Sequence, residues 1–228
     1  MHSLKKACFL DFDHTLFNTD EFFHVDVRNS FLRFGIDAGR WEESYMAVWP
    51  QGYTLEKHVE EVCRRSGRQL PVEEMKQILQ NSYSDLSQYL FSDVVPFLEM
   101  AKNKGVRLYL LSFGNEDWQR YKVSGSGIQT NFDSIFFTSK EGRKADIISE
   151  NIKKFQQIIM VDNNPGELDL IKDAMPEAQT ICINRVPDEL IIPGDEISRL
   201  KFLDARGYLG KNWRHCHRAI NKLDGILN

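Results

Sequence analysis

The segment KACFLDFDHTLF, residues 6–17, runs through a short apolar stretch into two aspartates, Asp11 and Asp13, with Thr15 two positions later. In an extended chain, residues i and i+2 project to the same face, so the two carboxylates share one side. Three later segments bring comparable groups to the end of an apolar run or the start of a helix. YLLSFGN carries Ser112, SKEGRKADI carries Lys140 and Lys144, and IIMVDNNPGEL carries Asp162. Carboxylates gathered in one place repel unless a cation holds them, and hard oxygen donors suit Mg²⁺. A lysine and a hydroxyl beside such a cation suit a phosphoryl group, whose oxygens need positive charge and donors. A carboxylate can also attack phosphorus itself and form an aspartyl-phosphate.

These groups meet only if the chain brings the ends of several strands to one edge. Apolar runs at 7–10, 106–112, 134–139, 157–162 and 180–184 are mostly continuous rather than alternating. That pattern predicts parallel strands buried on both faces. Helical patterns at 96–104, 144–154 and 166–174 separate them, which predicts βαβ units and a Rossmann-like α/β core. In such open sheets, ligands bind at the carboxyl ends of the strands. The first crossover is anomalous, because about residues 17–95 lie between the first two strands, far too many for a loop. Asn18 and Glu21 resemble a capping box, and Phe23, Val27, Phe31 and Phe34 follow at helical spacing up to Gly35. Residues 38–49 stop at Pro50, Thr54 precedes 55–66, and Pro71 opens a pattern reaching about 91. The reading is a helical insertion, 17–95, in a core made of 1–16 and 96–228.

The ordered set DFDHT, Ser112, Lys144 and DNNPGEL resembles the haloacid dehalogenase-like superfamily of aspartate-nucleophile hydrolases. The resemblance covers residues 6–16 and about 96–184, and the insertion resembles that family's C1-type cap. It implies that Asp11 is the nucleophile and a Mg²⁺ ligand. It implies that Asp13 is the general acid and base, with its backbone carbonyl on the metal. Thr15 would support the site, Ser112 and Lys144 would hold the phosphoryl group, and Asp162 would complete the metal ligands. Lys140 stays open as a substitute for Lys144. Two positions depart from the family's pattern. His14 stands where glycine is common, so its side chain must point away from the substrate. Asn163 and Asn164 follow Asp162 where many members carry a second acid, so weaker metal binding is expected.

The function expected is a Mg²⁺-dependent phosphatase acting on a small phosphorylated metabolite through an aspartyl-phosphate. A haloacid dehalogenase or a phosphomutase of the same superfamily are alternatives, as is a non-catalytic phospho-accepting signalling module. Receiver-type modules, however, place the acceptor later in the sheet and carry no such insertion. Arg28, Arg33, Arg40, Trp41, Tyr45, Trp49 and Tyr53 could reach a substrate from the insertion, although aromatics at helical spacing are mostly core and arginines mostly solvated.

Composition narrows the field. The 228 residues are 42% hydrophobic with a formal net charge of −4, which argues against a nucleic-acid binder. No apolar run approaches the roughly 20 residues of a membrane span, and the start does not read as a signal peptide. Four scattered cysteines fit reduced thiols and a cytoplasmic setting. His215, Cys216 and His217, in WRHCHR, lack metal-ligand spacing, and a helical tail packed on the core is expected there. The oligomeric state, the substrate and the role of 185–228 are not legible.

Overall fold

The computed structural model describes residues 5–67, 69–140, 142–151, 155–185, 214, 215 and 217–227. Five strands form where the apolar runs predict them: β1 (Lys6–Leu10), β2 (Arg107–Phe113), β3 (Ser134–Thr138), β4 (Gln157–Asp162) and β5 (Gln179–Ile183). A short sixth, β6 (Arg218–Ile220), joins the edge, and the sheet runs β3-β2-β1-β4-β5-β6 with every pairing parallel. Burial on both faces explains the continuous apolar runs. Cys8 and Leu10 join one cluster while Ala7 and Phe9 join the other, all fully buried. The architecture is the expected Rossmann-like α/β fold.

The strand order reverses between β1 and β4, and open α/β sheets bind ligands at such a crevice. Leu10 pairs with Val161, and the Asp11 amide donates to the Val161 carbonyl at 2.9 Å. Asp11 and Asp162 therefore leave the sheet side by side.

Between β1 and β2 the chain is helical. Wide π-type turns over Asp20–Val27 lead into α1 (Arg28–Leu32), followed by α2 (Ala38–Val48), α3 (Leu55–Ser66) and α4 (Val72–Ser82). Three of these starts have a local cause. Asn18 Oδ1 accepts from the Glu21 amide, and its side-chain amide donates to Glu21 Oε2. Asp37 caps α2 and Thr54 caps α3, which stops at Gly67 with φ +63°. The pattern from Pro71 does not continue to residue 91. Helix α4 ends at Ser82, because Asp85 Oδ1 accepts from the Ser87 amide in a local turn and the Leu86 amide donates to the Gly125 carbonyl. The side chain of Leu86 is fully buried, so tertiary packing overrides helical periodicity.

The core helices are α5 (Val94–Asn103), α6 (Glu116–Gly125), α7 (Arg143–Asn151) and α8 (Pro165–Ala174). One apolar cluster runs unbroken from the sheet into the insertion through Phe12, Phe17, Phe22 and Leu86. The expected helical tail is corrected in part. Trp213 and Cys216 of WRHCHR, like 186–213 as a whole, lie outside the described residues, but 218–220 form strand β6. His217 explains the pairing: Thr180 of β5 meets its Nδ1 at 2.8 Å, and Asp169 of α8 meets its Nε2 at 3.0 Å. Among the described residues no helix is long and apolar enough to cross a membrane.

Candidate active site

At the carboxyl edge, Lys144 Nζ donates to Asp11 Oδ1 and to Asp162 Oδ2, each at 2.7 Å, and Thr15 Oγ1 donates to Asp11 Oδ2 at 3.1 Å. All four residues are buried. Lys144 reaches them because it sits in the first turn of α7, which follows β3. Lys140 is exposed, and its carbonyl accepts from Thr138 instead. Asp162 Oδ1 accepts from the Asn164 amide at 2.8 Å, which fixes that carboxylate at the end of β4.

The electrostatics are unbalanced. Burial pushes the Asp11 carboxyl up to about 7, with Lys144 opposing and Asp162 adding to the rise. Burial also raises Asp162, again against Lys144. The two carboxylates hold the Lys144 ammonium above its ordinary range, although burial alone would lower it. Two buried carboxylates thus share one cation, and their oxygens are donors of the kind a hard cation takes.

Ser112 sits at the end of β2, fully buried, and its Oγ has no hydrogen-bond partner among the described residues. A buried hydroxyl without a partner is costly, so a ligand that supplies one is favoured at this position.

Asp13 has partners of its own. Its side chain is 22% exposed and turns toward α6. Lys122 Nζ donates to its Oδ1, Thr19 Oγ1 to the same oxygen at 2.6 Å, and Gln119 Nε2 to its Oδ2 at 2.8 Å. Burial works to raise this carboxyl, but the Lys122 charge and the hydrogen bonds from Lys122 and Thr19 hold it below the ordinary range. Among the described residues no group of three or more His, Cys, Asp or Glu side chains is gathered for a metal. A metal here would take side-chain oxygen from Asp11 and Asp162.

His14 adopts the left-handed conformation, φ +58°, in the tight turn where the Phe12 carbonyl accepts from the amides of Leu16 and Phe17. For a residue with a Cβ this costs about 1–3 kcal/mol. Its Nδ1 lies 3.4 Å from Asp20 Oδ2, at the start of the insertion.

The insertion residues divide. Trp41 and Tyr53 are buried in an aromatic cluster around Phe23, while Arg33, Arg40 and Trp49 are exposed and Arg28 and Tyr45 are half-buried. Tyr53 also packs against Trp118 of α6, with ring centroids 5.2 Å apart, so the insertion touches the core beside Asp13.

Four polar partners of the site lie outside the motif positions: Thr19, Gln119, Lys122 and Arg185, whose Nε donates to the Thr15 carbonyl at 3.1 Å. A pattern could have pointed to two of them. Asn115 caps α6 by accepting from the Trp118 amide, and counting from it puts Gln119 and Lys122 on one helical face. Nothing local points to Arg185.

The family model of the haloacid dehalogenase-like hydrolases matches residues 8–167. No curated protein matches the sequence. Among solved structures, a haloacid dehalogenase-like hydrolase from Burkholderia xenovorans superposes with a TM-score of 0.71 at 16% identity, covering 96% of this chain and 94% of that one. The L-2-haloacid dehalogenase of Xanthobacter autotrophicus gives 0.61 at 13% identity, with 96% and 95% covered. The magnesium-bound hydrolase YfnB of Bacillus subtilis gives 0.54 at 13% identity, with 86% and 92% covered. At such identities these structures share a fold.

Proposed function

Because this chain belongs to the haloacid dehalogenase-like hydrolases, we propose that it is a Mg²⁺-dependent phosphatase acting on a small phosphate ester through an aspartyl-phosphate. The observation that carries this reading is the inventory of carboxylates. Asp11 and Asp162 are buried on a single ammonium, and Asp13 is a further carboxylate with its own set of donors. Displacing halide from carbon needs an attacking carboxylate and no acid for the leaving group. Hydrolysing a phosphate ester uses a nucleophile, a cation and a group that moves protons.

In this reading an Asp11 oxygen attacks phosphorus and the bond to the leaving oxygen breaks. Thr15 and Lys144 orient the attacking carboxylate, while Ser112 Oγ and Lys144 donate to the phosphoryl oxygens. Asp13, although Lys122 and Thr19 favour its ionised form, gives the proton it carries in the reactive form to the departing oxygen, then regains one from the water that attacks the aspartyl-phosphate and frees Asp11. Asp11 and Asp162, with the Asp13 carbonyl, would hold a magnesium ion. When bound, it would supply the positive charge that the buried carboxylates lack.

Residues 17–95 form the cap in this reading, and 1–16 with 96–228 form the core. A cap of this size favours small soluble substrates and needs no nucleic-acid or membrane partner. The described cysteines Cys8, Cys63 and Cys182 are free thiols, which supports a cytoplasmic setting.

The experiment is a parallel assay. The chain is given a panel of phosphorylated metabolites with Mg²⁺, and 2-haloacids with and without it. Phosphate release with no halide release is expected. Halide release without phosphate release would replace this reading with dehalogenation.

A further inference from the structure

We propose that Lys122, with Gln119 beside it on α6, is a positioning residue that fixes where the Asp13 carboxylate points for proton transfer. This rests on the proton-carrying role given to Asp13 above.

The support is geometric. Lys122 and Gln119 are both buried, and from one helix face they assign a donor to each Asp13 oxygen: the ammonium to Oδ1 and the amide to Oδ2 at 2.8 Å. Thr19 adds a third donor from the start of the insertion. With both oxygens committed, the carboxylate cannot turn about its own bond without losing a charge-assisted hydrogen bond.

The donors are themselves held. Lys122 Nζ lies 5.6 Å and 5.9 Å from the ring centroids of Phe12 and Phe17, so swinging away would forfeit both aromatic faces. Gln119 Nε2 also donates to the Phe113 carbonyl at 2.8 Å. Gly114 makes room for that amide. Its φ is +140°, and a Cβ there would stand 2.6 Å from Gln119 Nε2. The stretch from Ser112 to Lys122 thus contributes both an open hydroxyl and the clamp on Asp13.

A proton carrier must lie within hydrogen-bond reach of the leaving oxygen, then of the attacking water. A misplacement of about 1 Å can cost on the order of 10²-fold. Lys122 could instead serve only to neutralise a partly buried charge. That role would affect stability and would treat all substrates alike.

The test compares wild type, Asp13→Asn, Lys122→Met, Lys122→Arg and the Asp13→Asn/Lys122→Met double variant, as full-length chains with Mg²⁺. The substrates are p-nitrophenyl phosphate, whose leaving group needs little protonation, and a primary alkyl phosphate, whose leaving group needs it. Lys122→Met should slow the first step, release of the alcohol in a single turnover, by about 10²-fold on the alkyl phosphate, with half-saturation within about twofold. The rapid first release of p-nitrophenol should persist. Lys122→Arg should regain at least about tenfold, and the double variant should be no slower than Asp13→Asn. Equal losses in that first step on both esters, or losses that multiply in the double variant, would overturn the role. If Lys122→Met does not fold, Gln119→Leu takes its place, with the same leaving-group dependence expected in the first step and an equal first-step loss on both esters counting against it. A wild type inert toward both esters would overturn the phosphatase reading and this role with it. An active wild type with an indifferent Lys122→Met variant would overturn this role alone.

Discussion

Arg185 and Asp93 form an ion pair at 2.9 Å, with both side chains less than a tenth exposed. Arg185 leaves the end of β5 and Asp93 precedes α5, and the pair joins three distant parts of the chain. The guanidinium also donates to the Thr15 carbonyl and to the Asn221 carbonyl, while Asp93 accepts from the Leu223 amide at 2.7 Å. The turn after Asp11, the return from the helical insertion and the C-terminal segment thus share one buried charge pair.

Breaking that pair should be costly. Arg185→Met leaves Asp93 buried without its cation and should lower stability by about 3–5 kcal/mol. Adding Asp93→Leu should recover part of the loss. Urea denaturation of the two variants checks this, and a loss below about 1 kcal/mol in the single variant would show that the pair contributes little.

Lys144 and Lys140 should behave differently. Lys144→Met removes the ammonium shared by Asp11 and Asp162, and turnover should fall by at least about 10²–10³-fold, the usual cost of losing one preorganised donor to developing charge. Lys140→Met, at an exposed position, should stay within about twofold of wild type. Steady-state rates on one aryl phosphate settle the comparison.

Metal removal gives a separate check. EDTA should abolish activity and Mg²⁺ should restore it, with Ca²⁺ a poor substitute because it prefers longer bonds and more ligands. Asp11→Asn should form no phosphoenzyme with any substrate, as read by mass spectrometry of the quenched protein. Full activity in EDTA would remove magnesium from the mechanism.

Stability should fall with acid through His58. This side chain is fully buried in the insertion. Its Nε2 lies 2.9 Å from Ser44 Oγ and 3.2 Å from the Trp41 carbonyl, and its Nδ1 lies 3.2 Å from the Tyr53 hydroxyl. Burial depresses it from 6.5 to about 4, although the Trp41 carbonyl and Glu61 oppose the shift. The unfolded chain takes up the proton first as pH falls. The contribution is therefore complete above about 6.5 and lost between there and about 4, a change on the order of 3 kcal/mol. Thermal denaturation from pH 7 to 4 should show this slope, and His58→Gln should flatten it.

Much of this protein follows from local sequence. The apolar runs that become β1, β2, β3, β4 and β5 are continuous because both faces of a parallel sheet are covered, and that pattern is visible without coordinates. Asp11, Ser112, Lys144 and Asp162 are legible for the same reason: each stands where a run ends or a helix begins, and parallel topology sends those ends to one edge. Caps at Thr54 and Asn115 are equally local, since a cap satisfies amides two or three residues away.

Contacts between distant segments were decided only by the tertiary structure. Helix α4 stops at Ser82 because Leu86 packs inward and its amide bonds to Gly125, an interaction no periodicity within 71–91 contains. Strand β6 forms because His217 finds Thr180 and Asp169. Asp13 shows the difference most clearly. Its spacing from Asp11 placed both carboxylates on one side, yet its direction is set by Lys122 and Gln119, more than a hundred residues later. Backbone alternation governs the face from which a side chain leaves the strand. The donors that capture it are brought there by folding.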